Sequence, residues 1–240
     1  HADPNPYARF YKALGLVHAA AQTGADAIKF QWFINPSGSL FCWLDGDEHR
    51  QARWNDSSLD RDAWEQIKQY AEASGLVFLA SAFQKTTVQW LIDLNLSATK
   101  VASRAAKSFP YDMEGLPRPF LISDGMGLPP GRIFWEEGLD GREGIVRTET
   151  LILQCEANYP SSMAWDGSLP GFSDHSGKPF LSIDAISRGC KLLEVHFMVN
   201  PIDAGPDLPA CLTAEELRLV CQARDYYAGR THDSGRDGAN

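Results

Sequence analysis

The sequence lacks paired-cysteine motifs, apolar runs long enough to span a membrane, and an excess of basic residues. Its five cysteines are an odd number, widely spaced and without a CxxC pair, as expected of buried thiols in a reducing cytoplasm. Lysine and arginine number 22 against 31 acidic residues, giving a net charge of -9 that argues against nucleic-acid binding. No signal peptide is visible at the start. We therefore expect a cytoplasmic protein with neither a nucleic-acid nor a membrane partner.

Short apolar segments alternate with amphipathic helical patterns along most of the chain. The predicted strands are 26–33, 76–83, 99–103, 119–123, 151–157, 171–175 and 191–197. This alternation predicts a parallel sheet covered by helices, and polar residues at the strand ends favour a barrel over a doubly wound sheet. We expect an α/β fold, a reduced (β/α)₈ TIM barrel whose first strand, before a helix at 13–24, is missing or only a stub. The barrel domain is assigned to residues 1–230 and a polar C-terminal tail to 231–240.

Side-chain alternation along the strands separates an apolar face from a polar one. The polar set expected to face the barrel axis is Lys29, Gln31, Gln154, Glu156, Asn158, Glu194 and His196. Leu153 and Cys155 are expected on the outer, apolar face. In a barrel the inward polar groups converge at the C-terminal mouth, where active sites are built.

Two histidines occur at the ends of neighbouring predicted strands. His175 follows Ser-Asp in GFSDHSG, and His196 ends the next strand in KLLEVHF. Because adjacent parallel strands lie about 4.8 Å apart, both imidazoles can reach one divalent cation. Glu194 or Asp174 could orient one of the rings from outside the coordination sphere. The alternative is a pair of hydrogen-bonded structural histidines.

Two lysines and several serines occupy predicted strand positions that favour an anion site. Lys29 and Lys100 interrupt apolar strands, and a lysine inside a barrel is costly unless it meets an anion. The serines at strand ends are Ser81, Ser103, Ser123 and Ser173. Together they predict a pocket for a small, multiply charged anion such as a phosphate ester. Two alternatives remain. The lysine ammonium groups could reach solvent while each serine hydroxyl is satisfied by a local hydrogen bond, or one lysine could form a Schiff base with a substrate.

Eight segments resemble, in order, the characteristic segments of one enzyme family. They are GADAIKFQ (24–31), LASAF (79–83), KVAS (100–103), ISDGM (122–126), CEANYP (155–160), GFSDHSG (171–177), EVHF (194–197) and GPDLPACLTAEEL (205–217). The chain thereby resembles the sialic acid synthase (NeuB-like) family of phosphoenolpyruvate-dependent nonulosonate synthases. That resemblance implies a TIM barrel that condenses phosphoenolpyruvate with a carbonyl acceptor, an aldose or aminosugar-type aldehyde, in a possible homodimer.

The resemblance also implies roles for individual residues. The positions that match the phosphoenolpyruvate-contacting set are Lys29, Ser81, Lys100, Ser103, Ser123, Asn158 and Ser173. His175 and His196 match the ligands of a divalent cation, Mn²⁺ or Mg²⁺, and Gln31 matches a sugar-side position. Glu156 and Glu194 are the candidates for water activation or proton transfer, so that Gln31, Glu156 and Glu194 form the candidate catalytic set.

Several positions depart from the family pattern on the acceptor side. The acidic residue expected two places after the KVAS serine is Ala105, and the lysine of the family's EKHF segment is Val195. Residues 1–240 contain no counterpart of the family's C-terminal antifreeze-like domain. These departures leave three hypotheses open: a synthase for an unusual acceptor, an enolpyruvyl-type transfer in secondary metabolism, and an inert barrel that binds phosphoenolpyruvate or a sugar phosphate.

Overall fold

The structure, a computed structural model, describes residues 3–34, 40–42, 47–128 and 150–233. The strands are β1 (Ala27–Trp32), β2 (Val77–Ala82), β3 (Thr99–Val101), β4 (Phe120–Ser123), β5 (Thr150–Cys155), β6 (Gly171–Asp174), β7 (Leu192–Phe197) and β8 (Cys211–Leu212). The helices are α1 (Pro6–Thr23), α2 (Glu48–Asn55), α3 (Arg61–Ala73), α4 (Lys85–Asp93), α5 (Pro179–Ser187), α6 (Pro201–Ala204) and α7 (Ala214–Asp233).

The eight strands form one curled sheet, parallel throughout, in chain order from β1 to β8. The prediction of a reduced (β/α)₈ barrel is confirmed, as are the seven predicted strands. The expected first strand is missing from the part of the chain that the structure describes, and an eighth strand that was not predicted, β8, follows β7 near the end of the chain. No strand precedes α1 within the described residues, where α1 begins at Pro6. A strand of two residues is too short to produce a recognisable alternation, so its position could not be read from the pattern.

The first helix begins at Pro6, about two turns earlier than predicted. The Asn5 side chain accepts a hydrogen bond from the Tyr7 backbone N–H at 3.0 Å, and Pro6 occupies the first helical position. The helix ends at Gly24, whose φ of +86° places it in the left-handed region that favours glycine. The N-terminal residues of this helix therefore carry ordinary capping signals that the apolar periodicity alone did not show.

The interior of the curled sheet has an apolar floor beneath its polar mouth. The floor consists of Leu79, Ala98, Leu121, Leu151, Leu153 and Leu192. Outside the sheet, a larger aromatic and aliphatic core fills the space between the strands and helices α1, α3 and α4. The apolar floor lies on the side of the polar layer away from the mouth, so the polar groups above it have apolar neighbours below and the mouth above.

The predicted orientation of β5 was wrong. Leu153 belongs to the inner floor, and Cys155, in register with Ser173 of β6, approaches the His175 ring with its Sγ 3.9 Å from Nδ1. Gln154 faces the opposite way and bonds the loop backbone at Ala164 and Asp166. The polar face of this strand is therefore turned to a loop. The prediction failed because a glutamine that bonds an adjacent loop gives the same alternation as one that faces the barrel axis.

Helix α7 covers the outside of the sheet where β7 and β8 end. It packs on α5 and on α1, and its Arg224 bonds Asp26 at 2.6 Å and the Gly24 carbonyl at 3.0 Å. This helix continues to Asp233, three residues into the predicted polar tail; the rest of that tail lies outside the described residues. Within the described ranges, no helix has the length and apolar composition that a membrane crossing requires.

Candidate active site

Three charged side chains meet above the apolar floor. Lys29 projects from β1, Lys100 from β3 and Glu194 from β7. The Lys29 Nζ lies 3.3 Å from Glu194 Oε1, and the Lys100 Nζ lies 3.4 Å from Oε2, so one carboxylate bridges two ammonium groups. Lys100 is only 2% exposed, whereas Lys29 and Glu194 keep about a fifth of their side-chain surface accessible. Residues from three separate strands thus form one charged cluster with a net positive charge.

Four serine hydroxyls belong to the same layer, and two of them have no hydrogen-bond partner. Lys100 Nζ donates to Ser123 Oγ at 2.8 Å, and Ser173 Oγ donates to Glu194 Oε1 at 3.2 Å. Ser81 is in register with Lys100, so the two side chains share the inner face. The buried hydroxyls of Ser81 and Ser103 are unsatisfied. Because buried polar atoms are rarely left unpaired, these hydroxyls point to a ligand that supplies the missing partners.

The electrostatics of this cluster favour a charged glutamate. Burial by itself would raise the pKa of Glu194, but the Lys100 and Lys29 ammonium groups outweigh it and hold the pKa well below the usual range. Burial lowers the pKa of Lys100, and the Glu194 carboxylate opposes that shift. The pair therefore stabilises its own charges, at the cost of taking them partly out of water.

The two predicted histidines lie side by side at the mouth. His175 follows β6 and His196 lies in β7, with ring centroids 5.1 Å apart and planes at 77°. The His175 Nδ1 lies 2.6 Å from the Glu156 backbone carbonyl, which can only accept, so Nδ1 carries the proton and Nε2 presents a lone pair. Burial lowers the pKa of both rings, that of His196 to about 3 with Lys29 as the next cause. Both imidazoles are therefore neutral near pH 7, the form that binds metal ions.

These neutral rings fit a divalent first-row cation as two nitrogen ligands. The carbonyl that fixes the His175 tautomer is the kind of second-shell partner seen at metal sites. In the ranges 3–34, 40–42, 47–128 and 150–233, no group of three or more histidine, cysteine, aspartate or glutamate side chains could hold a metal ion. The remaining positions on a cation would therefore fall to water, substrate oxygen or the nearby Tyr159 hydroxyl.

Asp174 does not orient either ring. Its carboxylate is buried and accepts hydrogen bonds from the Ser176 backbone N–H at 2.8 Å and from Ser182 Oγ at 2.6 Å. Ser182 lies in α5, so Asp174 joins the end of β6 to that helix. This acid serves the fold, and the backbone carbonyl of Glu156 takes the orienting position instead.

Tyr159 is a site residue that sequence reasoning missed. Its ring stacks on His175 with centroids 4.3 Å apart and meets His196 edge-on at 5.1 Å. The hydroxyl lies 3.3 Å from His175 Nε2. The signal was present, since Tyr159 stands in the segment CEANYP that supported the resemblance, but no role was assigned to it there.

Three predicted site residues lie away from the charged cluster. Glu156 and Asn158 bond one another at 2.8 Å, and Ser161 also donates to the Glu156 carboxylate. These residues line a polar cleft of about 380 Å³ next to Lys178. Gln31 is exposed, although its register with Ser81 puts it on the inner face at the mouth. The structure thus brings the lysines, Ser123, Ser173 and Glu194 together, with Ser81 on the same face in register with Lys100, and leaves Glu156 and Asn158 in the neighbouring loop.

The position of the expected family acid is filled by a buried alanine. Ala105 lies in a short 3-10 turn directly after Ser103 and is 1% exposed. Between them, Arg104 pairs with the buried carboxylate of Asp47 and lies over the Trp54 ring at 5.3 Å. This segment is held by contacts outside the cluster, so it contributes the Ser103 hydroxyl and no carboxylate.

Fold and site together define a TIM-barrel-type α/β protein with a lysine–serine–glutamate cluster inside the sheet and an imidazole pair at its mouth. The model of the NeuB family matches residues 16–167 and 164–229, and the chain belongs to that family. It is similar to the N,N'-diacetyllegionaminic acid synthase of Campylobacter jejuni, with 27% identity over 231 residues that cover 86% of this chain and 68% of the relative. It is also similar to human N-acetylneuraminate-9-phosphate synthase, with 25% identity over 84% of this chain and 62% of the relative.

Solved structures agree on the fold. The N-acetylneuraminic acid synthetase of Leptospira borgpetersenii superposes with a TM-score of 0.68 at 18% identity, over 92% of this chain and 80% of that one. A truncated 3-deoxy-D-arabino-heptulosonate 7-phosphate synthase from Thermotoga maritima gives a TM-score of 0.58 at 13% identity, over 92% and 83%. The present chain spans about two thirds of the length of its curated relatives.

Proposed function

We propose that this protein condenses phosphoenolpyruvate with an aldose or aminosugar-type aldehyde and releases phosphate. The observation that carries the proposal is the cluster in which Lys29, Lys100, Ser123 and Ser173 bond one another or Glu194, with the Ser81 and Ser103 hydroxyls unsatisfied among the described residues. Ammonium and hydroxyl donors match the phosphate and carboxylate of an enol ester. The named synthases among the relatives support the same reading.

In the proposed reaction, the chain mainly positions its substrates. Lys29, Lys100 and the serines hold the anionic ester so that its C3 faces the acceptor carbonyl carbon. A carbon–carbon bond forms between them, water adds at C2 of the ester, and phosphate leaves by cleavage of the C2–O bond. The lysines stabilise the charge that develops on the departing phosphate.

The imidazole pair is proposed to serve the acceptor side. His175 and His196 would hold a divalent cation, Mn²⁺ or Mg²⁺, which when bound supplies Lewis-acid polarisation of a carbonyl oxygen. The Tyr159 ring, stacked on His175, restricts how the rings can turn and covers one side of this pocket. Water activation and proton transfer are proposed for Glu194, the one carboxylate that lies in the cluster.

The test is an acceptor screen with phosphate release as readout. The protein is incubated with phosphoenolpyruvate, Mn²⁺ and single members of a panel of aldoses and N-acetyl aminosugars. Release that depends on one acceptor, with a product mass equal to acceptor plus phosphoenolpyruvate plus water minus phosphoric acid, supports the proposal. Lys100→Met is the matched inactive variant, since it removes a buried ammonium group and keeps the side-chain length. Absence of phosphoenolpyruvate binding by calorimetry would end the proposal.

A second candidate function is binding of phosphoenolpyruvate or a sugar phosphate without turnover. It is favoured by the buried Ala105, which leaves no acid beside Ser103, and by the loop bonds that hold Glu156 and Asn158 away from the cluster. The same screen separates the two functions. Saturable phosphoenolpyruvate binding, without phosphate release for any acceptor, supports the binding protein. An enolpyruvyl-type transfer would instead give a product that retains the enol ether.

A further inference from the structure

The Glu194 carboxylate occupies hydrogen-bonding positions that the proposed anionic substrate needs. Its Oε1 accepts from Lys29 Nζ at 3.3 Å and from Ser173 Oγ at 3.2 Å, and its Oε2 lies 3.4 Å from Lys100 Nζ. Lys29, Lys100 and Ser173 are three of the residues proposed to bind phosphoenolpyruvate. A carboxylate that bridges two ammonium groups presents the same negative charge and acceptor oxygens as one end of an anionic ligand.

An incoming dianion cannot share these donors with Glu194 without cost. Two anionic groups held a few ångströms apart in a poorly solvated pocket repel one another strongly. The donors without protein partners, the Ser81 and Ser103 hydroxyls, are uncharged. The positive charge in the cluster is therefore already half neutralised by Glu194 before any ligand arrives.

We propose that Glu194 is an internal counter-ion that competes with the substrate anion and is displaced when the anion binds. This inference rests on the proposed function, because it takes the lysine–serine cluster to be the anion pocket. Glu194 thereby sets the affinity of the pocket. It pairs with the two lysines when the site is empty, and it lowers the affinity for anions that lack enough acceptor oxygens to replace it. Simple anions such as inorganic phosphate are discriminated against most.

The structure also explains why displacement is possible. Glu194 retains about a fifth of its side-chain surface accessible, and all six residues of β7 are partly exposed. Lys100, by contrast, is fixed by its bond to Ser123 and by burial. The Glu194 carboxylate therefore has room to move, as does Lys29, while the Lys100 ammonium group stays in place.

The experiment measures the binding of inorganic phosphate and of phosphoenolpyruvate by isothermal calorimetry to the wild-type protein and to Glu194→Gln. The glutamine keeps the shape of the side chain and removes the competing charge. We therefore expect phosphate to bind about tenfold more tightly, which is the change in affinity that corresponds to one charge-assisted hydrogen bond that no longer has to be broken. Glu72→Gln is the matched control, because Glu72 pairs with Lys68 on the surface of α3 and its loss should leave both affinities unchanged.

A second variant covers the case in which Glu194→Gln does not fold, which circular dichroism will show. Glu194→Asp keeps the charge but shortens the side chain by one methylene, so that the carboxylate cannot bridge both lysines, and phosphate affinity should rise by a smaller factor. Unchanged or weaker phosphate binding in the folded variants overturns the counter-ion role and leaves the proposed function standing. If neither anion binds to any variant, the anion pocket itself is wrong, and the proposed function fails with it.

Discussion

The charge cluster predicts a strong energetic coupling between Lys100 and Glu194. At 3.4 Å and an effective dielectric constant of about 20, two unit charges attract by about 5 kcal/mol before desolvation is counted. Desolvation offsets much of this attraction, so the pair adds little net stability compared with two apolar residues. Removal of one partner alone lowers the free energy of unfolding, because it leaves the other charge buried with fewer partners.

We expect Lys100→Met to lower the free energy of unfolding by about 2–4 kcal/mol. The cost is below the largest values for broken buried pairs because Lys29 still contacts Glu194 at 3.3 Å. Glu194→Gln should cost a similar amount, since it leaves two ammonium groups near each other. In the double variant neither charge is stranded by the other, so its loss should be smaller than the sum of the single losses by about 1–3 kcal/mol.

Urea unfolding followed by circular dichroism measures all four proteins, and equal m-values will show that the unfolded states are comparable. A pair that does not interact through its charges would give additive losses within about 0.5 kcal/mol. Additivity of that kind would refute the reasoning, since the Lys100–Glu194 distance would then carry no energetic weight. The Lys68→Met and Glu72→Gln pair on α3 is the exposed control, with an expected coupling below about 0.5 kcal/mol.

Three further predictions test the imidazole pair, a turn and a thiol. His175→Ala should abolish Mn²⁺ binding in calorimetry, whereas His18→Ala on the exposed face of α1 should not; retained stoichiometric binding would contradict the ligand assignment. Gly177→Ala should lower the free energy of unfolding by about 3 kcal/mol or more, because φ is +65° and an added Cβ would lie 2.1 Å from a backbone oxygen. Gly15→Ala is the control: an added Cβ there meets no atom within 4 Å, so this variant should raise the free energy of unfolding by about 0.5–1 kcal/mol. Burial raises the pKa of the Cys155 thiol to about 11, so its alkylation by iodoacetamide should be slow at pH 8, accelerate with rising pH and become fast in urea. Mass spectrometry measures the alkylation rate, and equal rates with and without urea would count against this prediction.

The inward groups of β1 and β7 could be predicted from the sequence because their alternation is unambiguous. Lys29 stands among apolar residues in β1, and Glu194 and His196 alternate with residues that pack under α7. The contact between Lys29 and Glu194 could not be predicted in the same way. Lys29 and Glu194 are 165 positions apart, and only the curl of the sheet brings them within 3.3 Å. The alternation therefore gives the direction of a side chain, while its partner depends on the closure of the whole fold.

The errors have a common physical origin. On β5, polar side chains face a loop and apolar ones face the barrel floor, so polarity by itself gave the wrong direction for Cys155 and Gln154. Tyr159 was overlooked because an aromatic residue is usually read as packing, whereas here the packing partners are the two imidazoles. In each case the side chain's environment was decided by a neighbouring segment that a local pattern does not contain.

The charged cluster lies where the first and last strands of the sheet approach each other. In the described residues β1 pairs only with β2, and β8 pairs with only two residues of β7, so the sheet is open between its first and last strands. The Lys29–Glu194 contact joins β1 to β7 across this opening, while α7 packs on α1 outside it. An anion that displaces Glu194 must therefore replace a contact that also holds the two edges together. The contact also gives a reason for a carboxylate in this cluster, since without Glu194 the Lys29 and Lys100 ammonium groups would lie near each other without its negative charge between them.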